Sequence, residues 1–142
     1  MKLIDNRTGL EVLDRDECMR LLGLNGVGRV AIVEGGQPMI FPINYVVDAD
    51  QVLFRTAPGS KLDAAVRNQQ VVFEIDSADP MYHTGWSVIV SGRAEEITDP
   101  ERRAEIDLLP LRPWAAGARD HIVAVNAERV TGRRIVHLAI NL

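Results

Sequence analysis

Apolar positions recur along this chain with two different periods. Cys18, Leu21 and Leu22 follow the i, i+3, i+4 spacing of one helix face. Asp14 stands where an N-cap belongs, Glu17 follows three residues later, and Leu13 can pack on Cys18 as a staple. Gly23 and Gly26 close that helix. From Gly28 the period drops to two. Val30 and Ile32 alternate with Arg29, Ala31 and Val33, Gly35-Gly36 turns the chain, and Met39, Phe41, Ile43, Tyr45 and Val47 share one face of a second strand. Asp48-Ala49-Asp50 turns again into a third strand over 52–56. The pattern is an antiparallel meander. Pro38 and Pro42 each remove a ladder donor, which predicts an edge or a bulge for the second strand.

The remaining elements are short. Ser60 can cap a helix whose core positions are Leu62, Ala65 and Val66. Val71 to Asp76 reads as a fourth strand and Trp86 to Ile97 as a long fifth one. Asp99 fits an N-cap and Pro100 the first helical position, in a helix that ends before Pro110. His121 to Ala127 gives a sixth strand, and Arg134 to Leu138 is a candidate seventh. Many short strands with three short helices predict a mainly β domain, a small barrel or sandwich. No repeat or linker divides the chain, so one domain over 1–142 is expected, with its core over about 10–138.

Composition narrows the functional classes. The 142 residues are 46% hydrophobic and 25% charged, which is globular composition. The net charge of −4 disfavours a nucleic-acid or anionic-membrane partner. No apolar run reaches the ~20 residues of a membrane helix, and Met1 to Gly9 has no apolar signal core. A cytoplasmic protein is the expectation. The single cysteine, Cys18, excludes an internal disulfide and reads as a core residue. His83, His121 and His137 lie far apart with no His-x-x-x-His spacing, so no metal site is expected. Nor is there a Gly-x-Ser-x-Gly nucleophile motif.

Candidate chemistry concentrates in Arg55-Thr56-Ala57-Pro58-Gly59-Ser60-Lys61. A strand ends in Arg-Thr, a Gly-containing loop follows, and a helix starts. Arg55 offers a planar fork for phosphate oxygens, Lys61 a point charge, and Thr56 and Ser60 hydroxyl donors, beside a helix N-terminus. Lys61 is the only lysine beyond Lys2. The segment fits neither a Walker A loop nor a dinucleotide fingerprint. On residue types alone, a plain strand–turn–helix with a solvated Arg and Lys is the stronger reading. The two tryptophans are the second feature. Trp86 fits core packing on its strand, whereas Trp114, in a Pro-rich loop, is harder to bury and suggests an interface or a ligand.

The order of these parts resembles the pyridoxamine 5′-phosphate oxidase-like, FMN-binding split-barrel superfamily, in its small single-domain form. The resembling segments are Asp14–Leu22, Gly28-Arg29-Val30-Ala31, Pro42-Ile43-Asn44-Tyr45, Phe54-Arg55-Thr56 with Gly59-Ser60-Lys61-Leu62, Val72-Phe73-Glu74-Ile75-Asp76, and Gly85-Trp86-Ser87-Val88 running on to Ala94. The resemblance implies a six-stranded antiparallel split barrel and a homodimer with cofactor sites at its interface. It implies FMN held by Arg55 and Lys61 with help from Thr56 and Ser60. Ile43 and Asn44 would lie along the flavin ring. Trp86 and Ser87 would approach from the partner, and Trp114 would cover the ring from the other chain. The activity implied is a flavin-dependent oxidoreductase with a small-molecule substrate. The alternatives are a coenzyme F420-dependent reductase on the same fold, and a non-enzymatic flavin- or haem-binding protein.

Overall fold

The computed structural model describes residues 2–24, 26–67, 69–111, 117 and 119–135. Trp114 and His137 lie outside the described residues. Within them the chain forms β1 (Leu3–Ile4), β2 (Glu11–Leu13), α1 (Arg15–Leu22), β3 (Val27–Glu34), β4 (Gln37–Asn44), β5 (Val46–Asp48) and β6 (Gln51–Thr56). Then come α2 (Lys61–Val66), β7 (Gln70–Asp79), β8 (Thr84–Glu96), α3 (Pro100–Asp107), β9 (His121–Asn126) and β10 (Arg129–Ile135).

The three helix starts form as their sequences dictate. The side chains of Asp14, Ser60 and Asp99 accept from the backbone N–H groups of Glu17, Asp63 and Arg102. These bonds satisfy donors that no helical carbonyl can reach. Cys18 is fully buried on α1, where burial pushes its thiol up, as befits a core residue.

The expectation of a six-stranded antiparallel split barrel is not met, because the sheet does not close into a barrel. The strands pair antiparallel in the order β1-β2-β10-β8-β7-β3-β4, and β8 also leads through β9 to β6 and β5. Among the described residues β4 pairs only with β3, and β5 only with β6, so the ladder stays open. The physical reason lies at Tyr45. The chain leaves β4 there as the ring turns inward, meets Phe73 edge-on at 4.7 Å, and donates its hydroxyl to the Leu22 carbonyl at 2.6 Å. β4, with Pro38 and Pro42, is an edge, as two missing N–H groups lead one to expect. The extra strands β1 and β2 are too short to show a period in sequence.

β8 is the hinge of the architecture. Its residues Thr84–Arg93 pair with β7, and Ala94–Glu96 pair with β9. On its other edge β8 pairs with β10 as far as Ser91, and the change from β10 to β9 brackets Gly92. A Cβ there would collide with the Asn126 carbonyl oxygen, so only glycine lets the two strands cross this closely. The main core, which includes Phe54, Phe73, Ile75, Val88 and Val90, lies inside the curve of the sheet. A smaller cluster of Leu53, Ile106, Leu111, Ile122 and Ala124 seats α3 on β6 and β9.

Candidate functional site

The gap between β4 and β6 forms a cleft of about 280 Å³. Its apolar wall is Phe41, Pro42, Ile43 and Leu62; its polar side holds Asn44, Arg55, Thr56, Ser60, Lys61 and Arg119. The place where the ladder fails to close is thus the place where the candidate residues meet.

Three cations line this cleft. Arg55, at the end of β6, is mostly buried and pairs with Asp107 of α3 at 2.7 Å. Lys61 and Arg119 have no acidic partner among the described residues. One carboxylate therefore faces three positive groups. The surplus charge beside an apolar wall suits a ligand with a flat, apolar part and a phosphate.

Behind the cations lies a buried carboxylate. Asp63, 4% exposed, accepts from Thr56 Oγ1 at 2.7 Å and from His121 Nδ1 at 2.8 Å on one oxygen. Its other oxygen accepts from the Gly59 N–H at 3.1 Å and from Arg67 at 3.3 Å. A carboxylate only accepts, so His121 carries its proton on Nδ1. Glu96 lies 3.5 Å from the same imidazole nitrogen and 3.9 Å from the Arg67 guanidinium, which itself comes within 3.1 Å of that nitrogen. Burial by itself would raise the Asp63 pKa; the bonds from Thr56, His121 and Gly59 outweigh it and hold the group at about 2.

This network changes the roles of two residues expected to touch a phosphate. Thr56 is 1% exposed and its hydroxyl proton is committed to Asp63. Ser60 lines the cleft and accepts from the Asp63 N–H at 3.1 Å, a bond that does not use its own hydroxyl proton. The N–H groups of Gly59 and Asp63 are both used inside the network, so the direct anion contacts left are mostly side chains.

The structure brings Ile43, Asn44, Arg55, Thr56, Ser60 and Lys61 to one cleft. It does not bring Trp86 and Ser87 there within this chain. They line a separate depression with Leu10, Gly85, Arg133 and Ile135. Arg119 is a cleft residue that sequence reasoning missed, because a loop arginine between Gly117 and His121 carries no pattern. Asp63 was visible only as the third residue of a capped helix.

A basic cleft at the gap of an open antiparallel sheet defines the class. Residues 14–140 match the pyridoxamine 5′-phosphate oxidase family model, and the chain belongs to that family. An uncharacterized protein of Mycobacterium tuberculosis is 44% identical over 129 residues, spanning 87% of this chain and 84% of its own length. Among solved structures, the FAD binding protein from Mycobacterium smegmatis is 39% identical, with 87% of this chain and 96% of that chain covered and a TM-score of 0.76. A FAD-binding protein from Mesorhizobium loti is 26% identical, with 89% and 99% covered and a TM-score of 0.73. The fold and family are those of flavin-binding proteins. No described helix is long and apolar enough to cross a membrane.

Proposed function

We propose that this protein is a flavin-nucleotide-dependent oxidoreductase whose cleft between β4 and β6 holds the ligand's phosphate. The observation that carries the reading is the meeting of Arg55, Lys61 and Arg119 beside one apolar wall, with Asp107 as their single acidic counterpart among the described residues. FMN and FAD share the phosphate on the ribityl chain, so both fit this chemistry. FAD is the preferred form: three cations suit a diphosphate better than a single phosphate, and two relatives are described as FAD-binding.

The protein's own part is binding and orientation. Arg55 and Lys61 neutralise the phosphate, with Arg119 and the Ser60 hydroxyl beside them. Phe41, Pro42, Ile43 and Leu62 exclude water from the apolar side. The described lining side chains thus supply charge and shape. A bound flavin supplies the two-electron redox chemistry.

The proposed assembly is a homodimer. Ile40, Ala31, Val72 and Ser91 stand in register across β4, β3, β7 and β8 on the outer face of the sheet, with Ile89 and Val33 exposed nearby. Arg29 lies among Glu74 and Asp76 on that face, a mixed-charge centre that a second copy can match. A partner would also bring its own Trp86 and Ser87 toward the first protomer.

Mass spectrometry of the small molecule released from the native protein tests the cofactor. FAD or FMN is expected; F420, haem or no ligand would overturn the flavin reading. Turnover with a reductant and an acceptor then separates an enzyme from a binding protein. Light scattering of a stable monomer with ligand bound would remove the dimer.

A further inference from the structure

Asp63 does not itself line the cleft, yet two of the cleft's polar residues, Thr56 and Ser60, bond to it directly, and its other partners adjoin the remaining cations. Thr56 is the last residue of β6, next to Arg55. Gly59, with φ +77°, and Ser60 form the loop that leads into Lys61. His121 opens β9 two residues after Arg119. Four donors from these segments and from α2 end on one buried carboxylate. We propose that Asp63, through Thr56, is the positioning residue of the phosphate cleft. It sets β6, the 57–60 loop and the start of β9 so that Arg55, Lys61 and Arg119 face one anion. The proposal rests on the phosphate reading of the cleft given above.

Electrostatics alone argues the other way, which makes the inference sharp. A carboxylate behind an anion site repels the anion, so removing its charge should strengthen binding if charge were all that mattered. If geometry matters more, removal weakens binding. The network favours geometry, because its negative charge is already balanced locally by Arg67 and by three further donors.

Asparagine keeps the shape of Asp63 but presents an NH₂ in place of one oxygen. That group faces donors whichever way it is turned, so half of the bonds are lost. Thr56→Val removes one donor without changing side-chain shape, and Thr56→Ser restores it.

The experiment measures dissociation constants of the full-length protein for FMN and for riboflavin, which lacks the phosphate. The readout is the ratio of the two. Asp63→Asn and Thr56→Val are each expected to shrink the preference for FMN at least tenfold, with riboflavin binding unchanged. Thr56→Ser should retain the wild-type ratio. A purely structural role would lower both affinities together. An unchanged or increased preference in folded Asp63→Asn, or equal behaviour of Thr56→Val and Thr56→Ser, overturns the proposal. If Asp63→Asn does not fold, the Thr56 pair decides. Arg55→Ala separates the two levels of argument. If it abolishes the FMN preference while the Asp63 and Thr56 variants do not, only the positioning role falls. If Arg55→Ala leaves the preference intact, the phosphate reading fails and takes this proposal with it.

Discussion

Asp63 in the cleft network and Glu74 on the outer face of the sheet are both carboxylates removed from water, and they titrate in opposite directions. Asp63 is the more buried, yet it is held at about 2. Glu74, partly exposed, is pushed up to about 7, first by burial and then by the neighbouring Asp76, with Arg29 pulling the other way. The difference lies in the donors. Four converge on Asp63. Glu74 and Asp76 share the single guanidinium of Arg29, at 3.3 Å each. Depth of burial therefore does not decide whether a carboxylate stays charged; the number of hydrogens pointed at it does.

The contrast is broken most violently at Asp63. Replacement by alanine strands several buried donors, and a loss of about 3–5 kcal/mol is expected in denaturant unfolding. The sign with pH follows from its depressed pKa. Against 3.8 in an unfolded chain, a folded value of about 2 means its contribution is complete above about pH 4 and lost as the pH falls toward 2. An acid-unfolding series on Asp63→Asn should lack that portion of the slope.

Arg55→Ala comes next. Binding of FMN should weaken by roughly 1.5–3 kcal/mol, the range for a hydrogen bond to a charged group, with riboflavin unaffected. Titration calorimetry with both ligands checks it.

At Glu74 the sign reverses. Its pKa rises from 4.5 to about 7 on folding, so ionising it costs stability as the pH climbs through that window. Glu74→Gln should gain about 1 kcal/mol at pH 8 and nothing at pH 4, by thermal melts at the two values. Lys61→Ala should show the smallest effect, below that of Arg55→Ala on FMN affinity, since Lys61 is an exposed point charge on a flexible stem.

What could be read from the chain beforehand was local. The caps at Asp14, Ser60 and Asp99 depend on residues three apart, and all three form. Arg55 and Lys61 flank one loop, so their approach needed little long-range information. Ile43 and Asn44 were placed beside them by resemblance, not by spacing. The open ladder was not legible, because it depends on where Tyr45 turns its ring, which is decided by Phe73 and Leu22 from elsewhere in the chain. The bond between Asp63 and His121 joins positions 58 apart, and no periodicity encodes it. Arg119 reaches the cleft for the same reason: the strand that follows it pairs with β6.

The pairing of β2 with β10 has a consequence for how the protein is made. Leu13 lies opposite Gly132, and Arg134 reaches back 117 positions to Glu17 on α1. At about 5–20 residues per second on the ribosome, α1 waits roughly 6–24 s for the strand that seats it. Through that interval the apolar stripe of Cys18, Leu21 and Leu22 has no native cover from β10. The arrival of β10, rather than helix formation, therefore times the closing of the N-terminal third.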